Sequence, residues 1–154
     1  MNLIFDTSAL VKFFHEEQGT ETVSKLILDS NNDVWILELA RLEFISAVFR
    51  RFRTGELDEE RLNTAINSFE KQLERFNVEP LGRAVLEEAV SLIKSRARIQ
   101  GLKALDALHL GAFSLIYEED WAFVAADSTL CGVAESLDYP TINPMKPGET
   151  LAGK

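Results

Sequence analysis

The stretch that decides the fold stands at the start of the chain, in Leu3-Ile4-Phe5-Asp6-Thr7-Ser8-Ala9-Leu10. Its first three residues form a short apolar run, which predicts a buried strand. An acid and two hydroxyl residues follow, and such residues favour the N-terminus of a helix. The spacing therefore predicts a strand that passes directly into a helix. Ligands of parallel α/β sheets bind beyond the carboxyl ends of the strands, where Asp6 is expected.

A weaker copy of this pattern occurs near the end of the chain, in Ala126-Asp127-Ser128-Thr129-Leu130. Residues 122–125 predict the strand that precedes it. Asp6 and Asp127 would then both follow a strand and open a helix. Capping alone explains either aspartate, because Asp accepts backbone N–H bonds at helix N-termini. For each of them we weigh capping and a functional role equally.

The chain between these motifs alternates strand-like and helix-like segments. Further strands are predicted at residues 34–37, 78–81 and 139–142, and helices at 9–14, 20–29, 38–53, 58–77, 83–99, 105–117 and 128–137. This alternation predicts an α/β fold with a mostly parallel central sheet flanked by helices on both faces. One domain is expected over residues 1–144, followed by a loose tail over 145–154.

Composition excludes several classes of protein. A length of 154 residues is that of one domain, and a net charge of −9 disfavours binding to nucleic acid or membranes by general attraction. A nucleic-acid ligand would need a local basic surface or bound cations. With one cysteine and two histidines, neither an intramolecular disulfide nor a Cys/His zinc site is expected. The sequence shows no apolar membrane span and no signal peptide, so a cytoplasmic protein is expected.

Two further acids lie among apolar residues. Glu43 falls on the apolar face of the predicted helix 38–53, on or beside its core-facing stripe, and Asp106 shares a face with His109 in the helix 105–117. An acid in such a place is costly unless it is paired or binds a metal. The plain alternative is a buried salt bridge, whose cation would be Arg50, Arg41 or Lys103.

Four acids on four elements favour a shared site over four separate pairings. The candidates are Asp6, Glu43, Asp106 and Asp127. Four carboxylates in one cavity repel one another, and a divalent cation relieves that repulsion. Ligands that are all oxygen suit Mg²⁺ or Mn²⁺. These ions lower the pKa of a bound water and stabilise charge on a phosphoryl group, so the chemistry indicated is hydrolysis of a phosphodiester.

The segments around these acids resemble the motifs of PIN-domain ribonucleases. The opening motif is residues 3–10, and the other three acids lie in Leu42-Glu43-Phe44-Ile45-Ser46-Ala47, Lys103-Ala104-Leu105-Asp106-Ala107-Leu108-His109-Leu110 and Phe123-Val124-Ala125-Ala126-Asp127-Ser128-Thr129-Leu130. The resemblance covers residues 2–144. It implies a PIN-like domain that cleaves RNA with Mg²⁺ or Mn²⁺, with the four acids as catalytic and metal-binding residues.

Compact PIN domains of this size that stand alone are most often the toxins of VapBC-type toxin–antitoxin pairs, and this chain resembles that group. The resemblance thus implies a homodimer, held inactive by a VapB-like antitoxin. Two alternatives stay open: a PIN ribonuclease of RNA maturation without an antitoxin, and a non-catalytic binding module that keeps the fold. The presence of all four acids favours an enzyme.

Several neighbouring residues have supporting roles in this interpretation. Ser8 is expected both to cap a helix and to orient Asp6, whereas Ser128 is expected to cap rather than to bind a ligand. His109 is expected to be a satisfied core histidine rather than a general base. Arg50 and Lys103 are candidates for RNA binding. They belong to basic runs at predicted helix C-termini, where a solvated helix end is an equal alternative.

Overall fold

The structure is a computed structural model, and it describes residues 1–146. Strands and helices alternate along the chain in the order β1 (Asn2–Phe5), α1 (Thr7–Phe14), α2 (Thr20–Leu28), β2 (Asp33–Leu37), α3 (Leu39–Arg53), α4 (Glu59–Leu73), β3 (Asn77–Glu79), α5 (Arg83–Arg96), α6 (Ala104–Ile116), β4 (Trp121–Val124), α7 (Ser128–Glu135) and β5 (Thr141–Ile142). The expected tail over 145–154 lies outside the described residues, apart from Met145 and Lys146.

The five strands form one sheet in the order β3-β2-β1-β4-β5, and every neighbouring pair is parallel. The chain runs outward from β1 through β2 to β3, and then crosses to β4 and β5 on the other side. The strand order therefore reverses between β1 and β4, which is where open α/β sheets bind ligands. The predicted α/β class and parallel sheet are confirmed.

Helices cover both faces of the sheet. Leu3 and Phe5 of β1 pack in a core with α1 to α4, whereas Ile4 packs in a second core with α5 to α7. Successive side chains of a strand point to opposite faces, which explains why neighbours in β1 enter different cores. The strands are therefore apolar throughout, as expected of a sheet buried on both sides.

The apolar spacing predicts that the face of α3 with Leu39, Leu42 and Phe49 points into the core, and this prediction was wrong. Ala40, Phe44 and Val48 are buried, whereas Leu42 is 69% exposed. The sequence carries two apolar stripes, and packing against α4 selects the one that contains Phe44, whose ring stacks on Phe69 at 4.0 Å between centroids. The face that carries Glu43 consequently borders a cleft instead of the core.

Several predicted elements are shorter in the structure. The helix predicted over 58–77 ends at Leu73, because Asn77 pairs with Trp35 in the sheet. The helix predicted over 83–99 ends at Arg96, and β5 is reduced to Thr141–Ile142. Within residues 1–146, no helix is both long enough and apolar enough to cross a membrane.

Candidate active site

Asp6 and Asp127 stand at the point where the strand order reverses. Asp6 follows β1 and caps α1, with its Oδ2 accepting a hydrogen bond from the Ser8 backbone N–H at 2.9 Å. Asp127 follows β4 and caps α7, with its Oδ1 accepting from the Leu130 N–H at 2.8 Å. Each cap uses one carboxylate oxygen. The second oxygen of each side chain is left for another partner, so capping and ligand binding are compatible here.

Ser8 joins the ends of the two central strands. Its hydroxyl accepts a hydrogen bond from the backbone N–H of Ala126 at 3.0 Å, and the backbone N–H of Asp6 donates to Val124 at 2.9 Å. These bonds fix the start of α1 against the segment that leads to Asp127. Ser8 therefore acts on the backbone around both aspartates.

Asp106 lies in the first turn of α6, and its environment disfavours its charge. Burial raises the pKa of Asp106, and the negative charges of Asp6 and Asp127 raise it further, from 3.8 to about 6. Lys103 opposes these effects only in part. Among residues 1–146 no ion pair involves Asp106, so the salt-bridge alternative fails for this residue. The charges of Asp6 and Asp127 thus act on Asp106, and one shared site for all four acids stays a prediction.

Glu43 projects from α3 and is held by two buried side chains. The Thr7 hydroxyl donates to its Oε1 at 2.8 Å, and Nε2 of His109 contacts the same oxygen. Nε2 of His109 also lies 3.7 Å from Oδ1 of Asp6. A carboxylate in these contacts is fixed in orientation, and its Oε2 remains for another partner.

His109 is buried, and one of its ring nitrogens contacts an acid of the candidate site. It is 1% exposed, and within the described chain its Nδ1 has no hydrogen-bond partner. Burial lowers the pKa of His109, but the hydrogen bond with Glu43 and the charges of the surrounding acids outweigh this effect and raise it above its ordinary value. The geometry makes His109 a partner of Glu43. The expectation of a fully satisfied histidine is not met at Nδ1.

A cleft of about 450 Å³ opens beside these groups. Its walls include three of the four predicted acids and the predicted RNA-binding Arg50, together with Thr7, Ser8, Leu42, Arg51 and Leu105. Asp127 is not among the lining residues, although its charge acts on Asp106. A larger cleft of about 890 Å³ lies between the end of α1, α3 and α4 and contains none of the four acids. The cleft of about 450 Å³ is therefore the candidate active site, because it is the one of the two that the predicted acids line.

The remaining candidates occupy the borders of this site. Lys103 is exposed and immediately precedes α6, where its positive charge reaches Asp106. Ser128 is the exposed first residue of α7, and the cap of that helix is Asp127 instead. The expectation that Ser128 caps the helix was therefore wrong. Arg41, offered above as a salt-bridge partner, is bonded to Glu70 of α4.

The donor chemistry suits a hard divalent cation. Asp6, Asp106 and Asp127 present carboxylate oxygens from three elements, and their repulsion is what such a cation relieves. Within residues 1–146, however, no three Asp, Glu, His or Cys side chains stand close enough to form a finished ligand cluster. A cation would have to draw the carboxylates together. Glu43 could join through its free oxygen while Thr7 and His109 hold the other.

Reasoning from sequence missed the role of Thr7, which appeared only as part of a capping motif. Its hydroxyl bonds to a residue 36 positions away along the chain. The only signal was its place beside Asp6 at the start of a helix, and any strand–helix turn carries that signal.

The chain is similar to known proteins in sequence and in structure. The PIN domain family model matches residues 3–135, and a comparison with curated protein sequences gives no match. VapC20 from Mycobacterium tuberculosis, described as a sarcin-ricin loop cleaving toxin, has a TM-score of 0.69 at 14% identity, with 92% of this chain and 99% of that chain covered.

Two toxin–antitoxin structures are also similar. VapBC-1 from nontypeable Haemophilus influenzae has a TM-score of 0.63 at 16% identity and covers 95% of this chain and 100% of that chain. A toxin–antitoxin complex from Klebsiella pneumoniae has a TM-score of 0.61 at 15% identity, with coverages of 92% and 97%. At these identities the structures share the fold, and the family model spans most of the sequence. The chain belongs to the PIN-domain family.

Proposed function

We propose that this protein is a metal-dependent endoribonuclease that acts as the toxin of a VapBC-type toxin–antitoxin pair. One observation carries the proposal: Asp6 and Asp127 raise the pKa of Asp106 at the point where the strand order reverses. Carboxylates that repel one another beside a cleft are the expected apo state of a Mg²⁺ or Mn²⁺ site. The family and its toxin neighbours support RNA as the substrate.

In this proposal Asp6, Glu43, Asp106 and Asp127 hold the cation. When bound, the cation would activate a water and neutralise charge on the phosphoryl group. The chain's own residues do the positioning. Ser8 fixes the backbone between two of the aspartates, and Thr7 and His109 hold Glu43. Arg50 and Lys103 would attract the RNA backbone on either side of the cleft.

The proposal includes two protein partners. Large apolar side chains are exposed on α3, α5 and α6, among them Leu42, Leu86, Val90 and Leu105. Such a surface supports a homodimer, because exposed apolar patches mark protein interfaces. The toxin–antitoxin complexes among the structural neighbours support a VapB-like antitoxin. Acting on cellular RNA would place the protein in the cytoplasm.

Expression in cells tests the toxin assignment. The chain is expressed alone and together with any small gene that adjoins its own, and the ends of cellular RNA are mapped. We expect growth arrest and new RNA ends at a defined site only when the small gene is absent, and neither effect with the Asp6→Asn variant. New ends without arrest would favour the RNA-maturation alternative. Neither ends nor arrest, with the chain expressed and folded, would favour the binding module.

A further inference from the structure

A run of basic residues leads into α6, whose first turn carries Asp106 of the candidate active site. Residues 89–105 contain four cations and no acid, in a chain whose net charge is −9. Among residues 1–146 none of these cations forms an ion pair with an acid. We call residues 94–103 the basic segment, and its cations are Lys94, Arg96, Arg98 and Lys103.

Helix electrostatics accounts for only part of this charge. Lys94 and Arg96 lie in the last turn of α5, where cations are favourable. Arg98 lies beyond the C-cap residue Ala97. Lys103 occupies the N-cap position of α6, where the helix dipole disfavours a cation. The charge of Lys103 favours the ionised form of Asp106, whereas helix electrostatics does not explain the exposed Arg98.

The basic segment connects α5 to α6 and is bonded to the C-terminal half of α7. The side chain of Gln100 donates to the backbone oxygen of Gly132 in α7 at 3.2 Å and accepts from Ser136 at 3.3 Å. At its other end the segment leads directly into α6, and Leu102 is buried in the core. These contacts fix the connection between α5 and α6 before any ligand binds, and Lys103 at its end is a cation whose charge reaches Asp106.

An apolar side chain stands out from this segment. Ile99 is 88% exposed, more than any other large hydrophobic side chain of the described chain. It directly follows the exposed Arg98. Surfaces that bind single-stranded nucleic acid combine cations that contact phosphates with side chains that pack on the bases, which are usually aromatic. Here the exposed apolar surface beside the cations is the aliphatic side chain of Ile99.

We propose that the basic segment binds single-stranded RNA beside the acidic cleft, with Lys94 and Arg98 contacting phosphates and Ile99 contacting a base. This inference rests on the proposed function, since it assumes that the polyanion which reaches the cleft is RNA. A phosphate approaching the carboxylates of a chain with net charge −9 is repelled, so the strand needs cations beside the cleft. An acidic peptide would use the cations but would leave Ile99 without a partner.

RNA binding under metal-free conditions tests this assignment without cleavage. The full chain is titrated in chelator with a fluorescent single-stranded RNA of mixed sequence, and anisotropy is followed across a salt series. Loss of two phosphate contacts should reduce the slope of log K against log salt by about 1.4, which weakens binding about 10- to 30-fold near 0.1 M salt. We expect this result for Lys94→Gln/Arg98→Gln. Ile99→Ser should weaken binding about 3- to 10-fold with the slope unchanged.

A second double variant separates local contacts from net charge. Lys71→Gln/Arg75→Gln removes two exposed cations at the end of α4 and changes the charge equally. It should bind RNA within about twofold of wild type, because charges remote from the strand are screened by salt. An equal loss in both double variants, or an unchanged slope in Lys94→Gln/Arg98→Gln, would overturn the assignment. A polyglutamate peptide that binds more tightly than RNA through Lys94 and Arg98 would also overturn it.

Cleavage of the same RNA with Mn²⁺ separates this inference from the proposed function. If wild type cleaves RNA but the salt slope does not depend on Lys94 and Arg98, only the binding surface is wrong. If the slope changes as expected but wild type does not cleave, the binding surface stands and the nuclease function is wrong.

Discussion

At the scale of single residues, the environment of Asp106 disfavours the charge of its own carboxylate. Burial and two neighbouring aspartates raise its pKa to about 6, and no ion pair in the described part of the chain compensates. An acid whose pKa is raised by folding destabilises the fold once it ionises. The free energy of unfolding of the metal-free protein should therefore fall as pH rises from about 4 to about 6, and it should stay lower above that range. A bound cation would reverse the sign of this effect.

Asp106→Asn should therefore stabilise the metal-free protein. The raised pKa corresponds to about 3 kcal/mol at neutral pH, and because Asp106 is only half-buried we expect about 1–2 kcal/mol after solvent screening. Melting in chelator should then occur about 2–8 °C above wild type. Mn²⁺ should raise the melting temperature of wild type, and that of the variant less. A variant that melts well below wild type in chelator, with no metal effect on either protein, would contradict a shared site.

Cation affinity should depend on pH through the same carboxyl. The pKa of Asp106 is about 6. Protons therefore compete with the cation for this carboxylate below about pH 6 and no longer compete above it. Affinity for Mn²⁺ should be nearly constant above about pH 7 and should fall about tenfold per pH unit well below 6. Calorimetric titrations at about pH 5 and about pH 7.5 measure this. Equal affinity at both values would remove Asp106 from the ligand set.

The limits of sequence reasoning are clear at the residue scale. Asp6 and Asp127 could be predicted because each follows a strand and opens a helix, which is a local pattern. The contact of His109 with Glu43 joins residues 66 positions apart. No local pattern indicates it, since it depends on how α3 and α6 cross the sheet. Only the structure shows that both contacts use Oε1 of Glu43 and leave its Oε2 free.

At the scale of elements, the pairing of α5 with α6 requires a close approach of their backbones. A Cβ at Gly111 of α6 would lie 3.1 Å from the Ala89 nitrogen and 3.2 Å from the Val85 oxygen, both backbone atoms of α5. This approach positions α6 and hence Asp106 in its first turn. It also explains why α5 turns Val85 and Ala89 inward and leaves Leu86 53% exposed. The apolar spacing of the sequence predicts a stripe through Leu86, Val90 and Ile93, and Leu86 and Val90 are exposed instead because Val85 and Ala89 face Gly111 of α6.

Gly111→Ala should lower stability by about 1–2 kcal/mol, because backbone atoms of α5 must shift to admit the methyl group. Gly132→Ala in α7 is the matched control. Nothing lies within 4 Å of a Cβ at Gly132, so the substitution should raise stability by about 0.5–1 kcal/mol through helix propensity. Denaturant melts of the two variants measure the difference. Two changes of the same sign and size would contradict the close approach of α5 and α6.

At the scale of the whole molecule, the charge is unevenly distributed. The chain carries −9 overall, while Arg50 and Arg51 line the cleft and the charge of Lys103 in the basic segment acts on Asp106. Composition alone argued against nucleic-acid binding by general attraction, and the structure supplies the local cations that this argument required. The order of acids along the chain predicted the family, whereas the position of these cations around the site depends on the fold.

Association of the chain with itself is a further expectation at this scale. Exposed Leu42 and Leu105 lie on the lining of the cleft, and Leu86 and Val90 are exposed on α5. A two-fold symmetric dimer would use one apolar surface of this kind twice. Light scattering without antitoxin should give the dimer mass in the micromolar range, and Leu86→Glu/Val90→Glu should shift it toward the monomer. A wild-type monomer across that range would contradict the dimer.

Cleavage of single-stranded RNA by the purified chain tests the central claim most directly. Wild type should cleave with Mg²⁺ or Mn²⁺ and stop in chelator. Asp6→Asn and Asp127→Asn keep a capping side chain but lose a charged ligand, so cleavage should fall about 100- to 1,000-fold, equivalent to about 3–4 kcal/mol, with melting preserved. Asp58 caps α4 outside the site, and Asp58→Asn should cleave like wild type. Cleavage that persists in chelator, or that survives Asp6→Asn near the wild-type rate, would contradict the metal-dependent site.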